Sequence, residues 1–569
     1  SLGRNGVGSI QLVTKSGSNR FSGSAYVYVQ NETFNANDFF FNRDGIDRQR
    51  ARRFEGGFTI GGPLKKDRTF FFGSYQRTDA ETAYVQTTSS YVVFPEFLAF
   101  VTDRSDPTSF LAGLTASTGR GIRFPNCVRT TPLPANAFAG DVAAACIDPF
   151  SVGFRLFSLI NPVTNDYLIP TLRPGYQRIF VDPSNSIITV GGVRITDPAS
   201  VGLPDGFPLL DSAPPSNAVP TGGYPLVRQR MASPAEFEQD QFSFRLDHLL
   251  FLGQTGSNNI SGTFFFSNFP ASEPFTDDTL VSPFPVVKDD RNRTLAITDT
   301  HVFNANLINE TRFGYFFLDN TRRLDDRFLI SELSNSGNGI GNPAGYFAAG
   351  DITERLARFA GSGIMQDFSV GAPNDAFNKR KQTTLTFANN TTYLRGDHQI
   401  RFGVEYKRNN FDTNLPEEQG MEFEQMQNFT ELLISYIPEA DVSLGITDKQ
   451  FRFNDLSFYV TDDWRINSRL TFNIGLRWDW FGRPYEKNGL FANFDPSRVT
   501  DPNNILSGFV LPANITGTGY TAIDSSVEQL SRSENKHTLS GEDLNNFAPR
   551  FGIAFKPIKH DRTVIRGGY

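Results

Sequence analysis

Residues Phe451 to Phe481 read FRFNDLSFYVTDDWRINSRLTFNIGLRWDWF. Leu456, Phe458 and Val460 alternate with Ser457, Tyr459 and Thr461. After a short Ile466-Asn467-Ser468-Arg469 link, Leu470, Phe472, Ile474, Leu476, Trp478 and Trp480 alternate with Thr471, Asn473, Gly475, Arg477 and Asp479. A period of two means strands, because successive side chains point to opposite faces. The short link makes the two strands an antiparallel hairpin. Each arm holds about ten residues, twice the usual soluble strand and about what a tilted strand needs to cross a bilayer. One face is apolar enough for lipid, and the other carries Arg477 and Asp479, which are expected to face water. Trp464, Trp478 and Trp480, the only tryptophans, fall at strand ends, where an aromatic girdle of a membrane barrel would sit.

Composition supports the reading. The 569 residues are 39% hydrophobic, with mean hydropathy -0.32. No run of eighteen apolar residues exists, so a spanning helix is excluded. The 56 Phe against 4 Met make the chain unusually aromatic for a soluble enzyme, and lipid-facing strands would explain it. A net charge of -7 argues against nucleic acid as a partner. Cys127 and Cys146 lie in a long polar segment and could close one loop disulfide or remain free thiols. No CxxC pair or Cys/His cluster suggests a metal, and no cofactor is expected. The chain opens at Ser1-Leu2-Gly3 with no signal-peptide pattern and ends at Arg566-Gly567-Gly568-Tyr569 in mid-strand, so a fragment is expected.

The same alternation recurs along the chain. Ile10 to Thr14 reads as a short strand and Phe21 to Gln30 as the first long one. Further strands are expected at Phe54–Gly62, Thr69–Arg77, Gln241–Leu249, Asn259–Phe266, Arg293–Phe303, Ile308–Leu318, Gln382–Leu394 and Gln399–Asn410. After the 451–481 hairpin come Asn546–Phe555 and Arg562–Tyr569. Short links alternate with long ones, the longest being 78–237, with a possible helix at Pro95–Val101. Met426, Phe429, Leu433 and Tyr436 recur at helical spacing and predict a surface helix. The fold class is therefore all-β, a transmembrane antiparallel barrel with about thirteen strands in this chain and long extracellular loops. An odd number with an open edge is costly in lipid, which makes the barrel incomplete.

The segment Gly8 to Gly17 (GSIQLVTKSG) and Asn19 to Ser24 (NRFSGS) resemble the plug-to-barrel junction of TonB-dependent outer-membrane receptors. The likeness is to the Oar-like branch, whose members often carry an N-terminal carboxypeptidase-regulatory-like domain. Phe34 to Phe40, Gly61 to Tyr75, Phe458 to Trp464, Asn546 to Arg550 and Arg562 to Tyr569 match as well. The resemblance implies a complete barrel of about 22 strands with a plug inside. Residues 1–19 would end the plug and 20–569 would form the first part of the barrel wall. It also implies active uptake driven through the TonB complex, in the outer membrane of a Gram-negative bacterium. This chain lacks a TonB box, nearly all of the plug and about nine C-terminal strands, so alone it should not transport.

Arg245, Asp247, Arg401, Glu405, Arg477 and Asp479 project to the polar side on this phase. They could line the lumen and hold the plug, or simply hydrate the wall. Lys65, Lys66, Asp67 and Arg68 read as a solvated turn. Asp289-Asp290, Asp325-Asp326 and Asp495 to Asp501 read as solvated loops rather than Ca²⁺ sites. The glycine runs Gly3–Gly8 and Gly337–Gly345 lack the strand-then-helix context of a phosphate loop. No Ser/His/Asp or Cys/His constellation assembles, so no enzyme is expected. The favoured function is a receptor and transporter for an extracellular organic solute, a peptide or oligosaccharide, set in outer-membrane lipid. The alternative is a barrel that binds other cells or proteins through its loops. A soluble carbohydrate-active enzyme is disfavoured by strand length.

Overall fold

In the computed structural model the long alternating segments become strands of one antiparallel sheet. The structure describes most of residues 14–85, 101–117, 146–162, 226–251, 256–275, 284–325, 377–415, 445–499, 505–518 and 530–569. Shorter described stretches include 90–93, 127–131, 165–169, 358–361, 369–373, 421–426, 439–442 and Leu433. The strands are β1 (Ser22–Gln30), β2 (Ala51–Lys65), β3 (Thr69–Val85), β4 (Ala232–Phe251), β5 (Ser257–Glu273), β6 (Val286–Asn304) and β7 (Leu307–Leu324). They continue as β8 (Asn378–Arg395), β9 (His398–Asn414), β10 (Asp448–Asn467), β11 (Leu470–Phe481), β12 (Phe547–Phe555) and β13 (Ile565–Gly568). Each pairs with its neighbours in sequence, giving one unbroken meander from β1 to β13, and Tyr485–Glu486 adds a short strand against β10. Consecutive pairing keeps loop-closure entropy low.

Tight turns collect at one end of the sheet. Asp67 closes the β2–β3 turn at φ 63, in a left-handed conformation that aspartate tolerates, and Gly396 closes β8–β9 at φ 59. Long connections leave from the other end. The outer face is aromatic and uncovered: Phe402 and Phe458 are each 48% exposed, with Phe244, Phe313, Phe387 and Phe551 in the same belt. Among the described residues no second layer packs over Phe242, which is 39% exposed. That much apolar surface requires hydrocarbon against it.

The inner face is polar and cross-braced. Tyr459 on β10 lies over Gly403 on β9 and donates its hydroxyl to Asn390 Oδ1 on β8 at 2.7 Å. A Cβ on Gly403 would come 2.6 Å from that ring and 2.5 Å from the Asn389 carbonyl oxygen. Tyr26 crosses Gly57 in the same way to reach Gln76 Oε1 at 2.9 Å. In each case the missing side chain is what lets one tyrosine tie three strands together.

Most wall strands are longer than the alternation predicts. β3 and β4 stay in register from Thr78↔Gln239 to Val85↔Ala232, so the long connection begins eight residues later than expected and ends before Ala232. These extensions carry charge on the face that is aromatic lower down, at Tyr75 and Phe242: Arg77 meets Asp79, Glu238 and Asp240 at 2.7, 3.0 and 3.0 Å. At 15–20 residues, β2 to β10 exceed the roughly ten needed to cross hydrocarbon. Outside the lipid both faces meet water, and the period-two signal fades. Asp289 and Asp290, expected in a loop, lie in β6 for the same reason.

Other expectations are corrected. Met426 ends a strand, Met421–Met426, and Leu433 is helical but fully buried rather than on a surface; Phe429 and Tyr436 lie outside the described residues. Pro95 to Phe100, Ile10 to Val13 and Gly337–Gly345 also lie outside them, and Thr14 is not in a strand. The last strand is shorter than Arg562–Tyr569. In the β3–β4 connection an α-helix, α1 (Pro107–Ser117), starts with its proline, and Asp106 accepts from the Thr108 and Ser109 amides. Cys127 and Cys146 form a disulfide with Cα atoms 4.7 Å apart, and Ile147 donates its amide to the Cys127 carbonyl. Phe110, Ile147, Phe157, Leu168 and Ile169 make the core of this unit at 0% exposure.

Gly403→Ala is expected to destabilise the barrel by about 1–3 kcal/mol through overpacking. Gly262→Ala, where nothing lies within 4 Å, should be neutral. Urea midpoints of the two variants refolded into vesicles check this, and equal midpoints would refute the brace.

Candidate functional site

The site begins with a local rule of strand geometry. Residues i and i+2 share a face about 6.6 Å apart, so an acid and a base at that spacing meet without leaving their strand. On the inner wall Arg245 pairs with Asp247 at 2.7 Å and Arg477 with Asp479 at 3.0 Å. Glu310–Arg312 and Glu405–Lys407 repeat the arrangement at 2.8 and 3.0 Å. Arg401 instead crosses to Asp463 on β10, 3.1 Å away. The structure thus joins four of the six inward-facing candidates into two pairs, while Arg401 and Glu405 take partners outside that set.

Arg477 and Asp479 are not bathed in water as expected. They are 7% and 9% exposed, and the Ser457 hydroxyl donates to Asp479 Oδ1 at 2.6 Å. Covering the pair strengthens it, because burial removes the competing solvent, and makes loss of either partner costly.

A short segment preceding β1 lies against this wall. Ser16 Oγ donates to Asp247 Oδ2 at 2.6 Å, and Arg245 Nη1 donates to Thr14 Oγ1 at 3.0 Å. Gly17 sits so close to β2 and β3 that a Cβ would fall 2.2 Å from the Phe71 carbonyl oxygen and 2.8 Å from that of Gly62. Asn19 and Asp67 exchange two hydrogen bonds, Nδ2 to Oδ1 at 2.6 Å and the Asp67 amide to Asn19 Oδ1 at 2.8 Å. The turn at Lys65 to Arg68 is therefore clasped, not simply solvated. These contacts join residues far apart in the chain, and no local pattern announces them.

The tryptophans mark the two ends of the apolar belt. Trp464 stacks on His398 with ring centroids 5.1 Å apart, and His398 Nδ1 lies 2.7 Å from Asp462 Oδ2, which accounts for the acid on the apolar face. Towards the loops, Trp478 donates its indole N–H to the Leu544 carbonyl and Trp480 to Glu542 Oε2, both at 2.8 Å. The Trp480 bond, joined by Arg483, holds the Glu542 carboxyl below its usual range. In the loop layer the carboxylates of Glu424, Glu439 and Asp441 come within 4.8 Å of one another. Burial, then Glu422 and Asp441, push Glu424 up. Strand pairing of 421–426 with 439–442 creates that cluster, which is why the sequence spacing concealed it.

With the fold in place, one comparison is decisive. Residues 13–569 match the family described as outer membrane beta barrel domain. The chain belongs to that family. This outer membrane barrel therefore resides in the outer membrane, its aromatic belt against lipid. Among solved structures, it is similar to the outer membrane transporter YddB from Escherichia coli at 8% identity and TM-score 0.36, covering 95% of this chain and 50% of that one. It is also similar to the ferric-catecholate import receptor Fiu from E. coli K12, at 8% identity and TM-score 0.24, covering 96% and 65%. For the FrpB iron transporter from Neisseria meningitidis the values are 7%, 0.26, 94% and 56%. The chain spans about half to two thirds of the length of these structures. A search of curated proteins returns no match.

Two outcomes follow from the contacts. Asp247→Ala removes the acceptor of Ser16 and leaves Arg245 without its carboxylate, a loss of about 1.5–3 kcal/mol. Tryptic cleavage at Lys15 should then accelerate roughly tenfold or more, since 1.4 kcal/mol is a factor of ten; unchanged cleavage would refute the anchoring. Because Glu542 is depressed, its contact persists above the ordinary carboxylate pKa and is lost as pH falls through the lowered value. Tryptophan emission should shift in that acid window for the native barrel and not for Glu542→Gln.

Proposed function

We propose that this chain forms wall and loops of an energy-coupled uptake receptor, with the short turns periplasmic and the long loops extracellular. The observation that carries it is the segment Thr14–Asn19 seated on the inner wall through Asp247, Arg245 and Asp67. Chain anchored inside the lumen narrows it, which suits a gated passage better than a wide passive pore or an adhesin that works by its loops. An inner strap of this kind suits a passage that is closed at rest and opened by work. The i, i+2 pairing leaves the wall polar but locally neutral, which fits a hydrated solute better than a single ion.

On this reading residues 1–19 end a plug and 20–569 supply the first part of a barrel completed to about 22 strands by sequence outside this chain. The resemblance of the junction to the Oar-like branch supports TonB as the energy source and a peptide or oligosaccharide as cargo. The protein performs no chemistry on that cargo and is not an enzyme. Uptake by cells carrying the intact gene product should collapse when the proton gradient is dissipated; gradient-independent uptake would overturn the proposal. Single cysteines placed in the β3–β4 connection should react with an impermeant maleimide on intact cells, and one at Lys66 should not. The reverse labelling would invert the orientation.

A further inference from the structure

Arg104, at the start of the disulfide-closed unit, carries a charge that no acid among the described residues answers. It is 6% exposed. Its Nη1 donates to the Ile169 carbonyl at 2.9 Å, and its guanidinium carbon lies 3.8 Å from the centre of the Tyr167 ring. Among the described residues no carboxylate reaches it. The nearby acids are engaged elsewhere: Asp103 accepts from Ser105, Asp106 caps α1, and Asp148 accepts from the Phe150 amide. Among the described residues the other buried arginine, Arg477, is neutralised by Asp479, and the half-buried Arg358 faces Glu422.

Burial lowers Arg104 to about 10, far below an ordinary arginine. A buried cation without a counter-ion is expensive, and the fold gains only one carbonyl contact and a ring stack in return. Both contacts fix the plane of the guanidinium. Among the described residues the sealed-in polar atoms without a partner include Arg129 Nε but no atom of Arg104, whose spare donors therefore keep some access to the exposed side of the Tyr167 ring. A rigid, planar fork with free N–H groups is pre-organised for a planar oxyanion.

We propose that Arg104, held flat by Tyr167 and the Ile169 carbonyl, is the anchor of a ligand site on this unit and takes a carboxylate of the incoming solute in a two-pronged ion pair. The inference rests on the extracellular placement of the loops but not on energy coupling. Calorimetric titration of the intact protein in detergent tests it, using tetra-alanine with a free C-terminus, the same peptide amidated, and inorganic phosphate. The free acid should bind at least tenfold more tightly than the amide, and Arg104→Gln should abolish that difference. Arg104→Lys, a point charge without the fork, should retain part of it. Retention of the Cys127–Cys146 disulfide under mild reductant shows that each variant keeps the unit folded. Equal binding of acid and amide, no binding of either, or binding of phosphate alone would overturn the carboxylate assignment. Uptake that ignores the proton gradient while the acid still binds through Arg104 would sink the transport reading and leave this one standing.

Discussion

The structure depends on the absence of water inside the bilayer. There, each backbone N–H and C=O must find its partner within the protein, at a cost of several kcal/mol for each that does not. A meander of antiparallel strands meets that demand from β1 to β13 with neighbours in sequence, so topology follows directly from the solvent. Everything else is then a choice of side chain on one face or the other. Phe402 and Phe458 can be left uncovered because hydrocarbon surrounds them, and Ser457 and Asp479 can be buried because the opposite face is polar.

The inner wall resolves a problem that the outer wall does not have. Charged side chains projecting into a narrow space repel or attract one another and whatever passes. Here opposite charges two residues apart cancel within a single strand, at Arg245–Asp247, Glu310–Arg312, Glu405–Lys407 and Arg477–Asp479. Cancellation is therefore independent of the register between strands. Tyrosines laid over Gly57 and Gly403 do the opposite: they are register-dependent, and a slip of one residue would break them. These four charge pairs are satisfied locally, whereas alignment rests on bracing across strands.

Much of this was legible in sequence, and the reasons differ by element. Within the lipid band the two faces meet opposite solvents, so alternation in Phe242 to Leu246 or Leu470 to Trp480 names the strand and its phase. Beyond the band, in Thr78–Val85 and Ala232–Asp240, both faces tolerate polar groups, and the strands continue without a periodic signal. Alternation gives the polar-side phase of Arg245, Asp247, Arg477 and Asp479, but Arg401 takes Asp463 through strand pairing, which no spacing within a strand reveals. Arg104 drew no notice because its meaning lies in what surrounds it, and the groups that surround it are 63 and 65 positions away.

The strap from Thr14 to Asn19 has a mechanical consequence. Its attachments lie in order along the chain, Thr14 on β4, then Ser16 on β4, then Asn19 on the β2–β3 turn. Tension applied from the Thr14 side loads these bonds one after another, as in peeling, and not all together, as in shear. The resisting force at any moment is that of a single attachment, so a modest pull could strip the strap progressively. The reciprocal Asn19–Asp67 clasp, last in line and doubly bonded, would then stop the peel at the barrel rim.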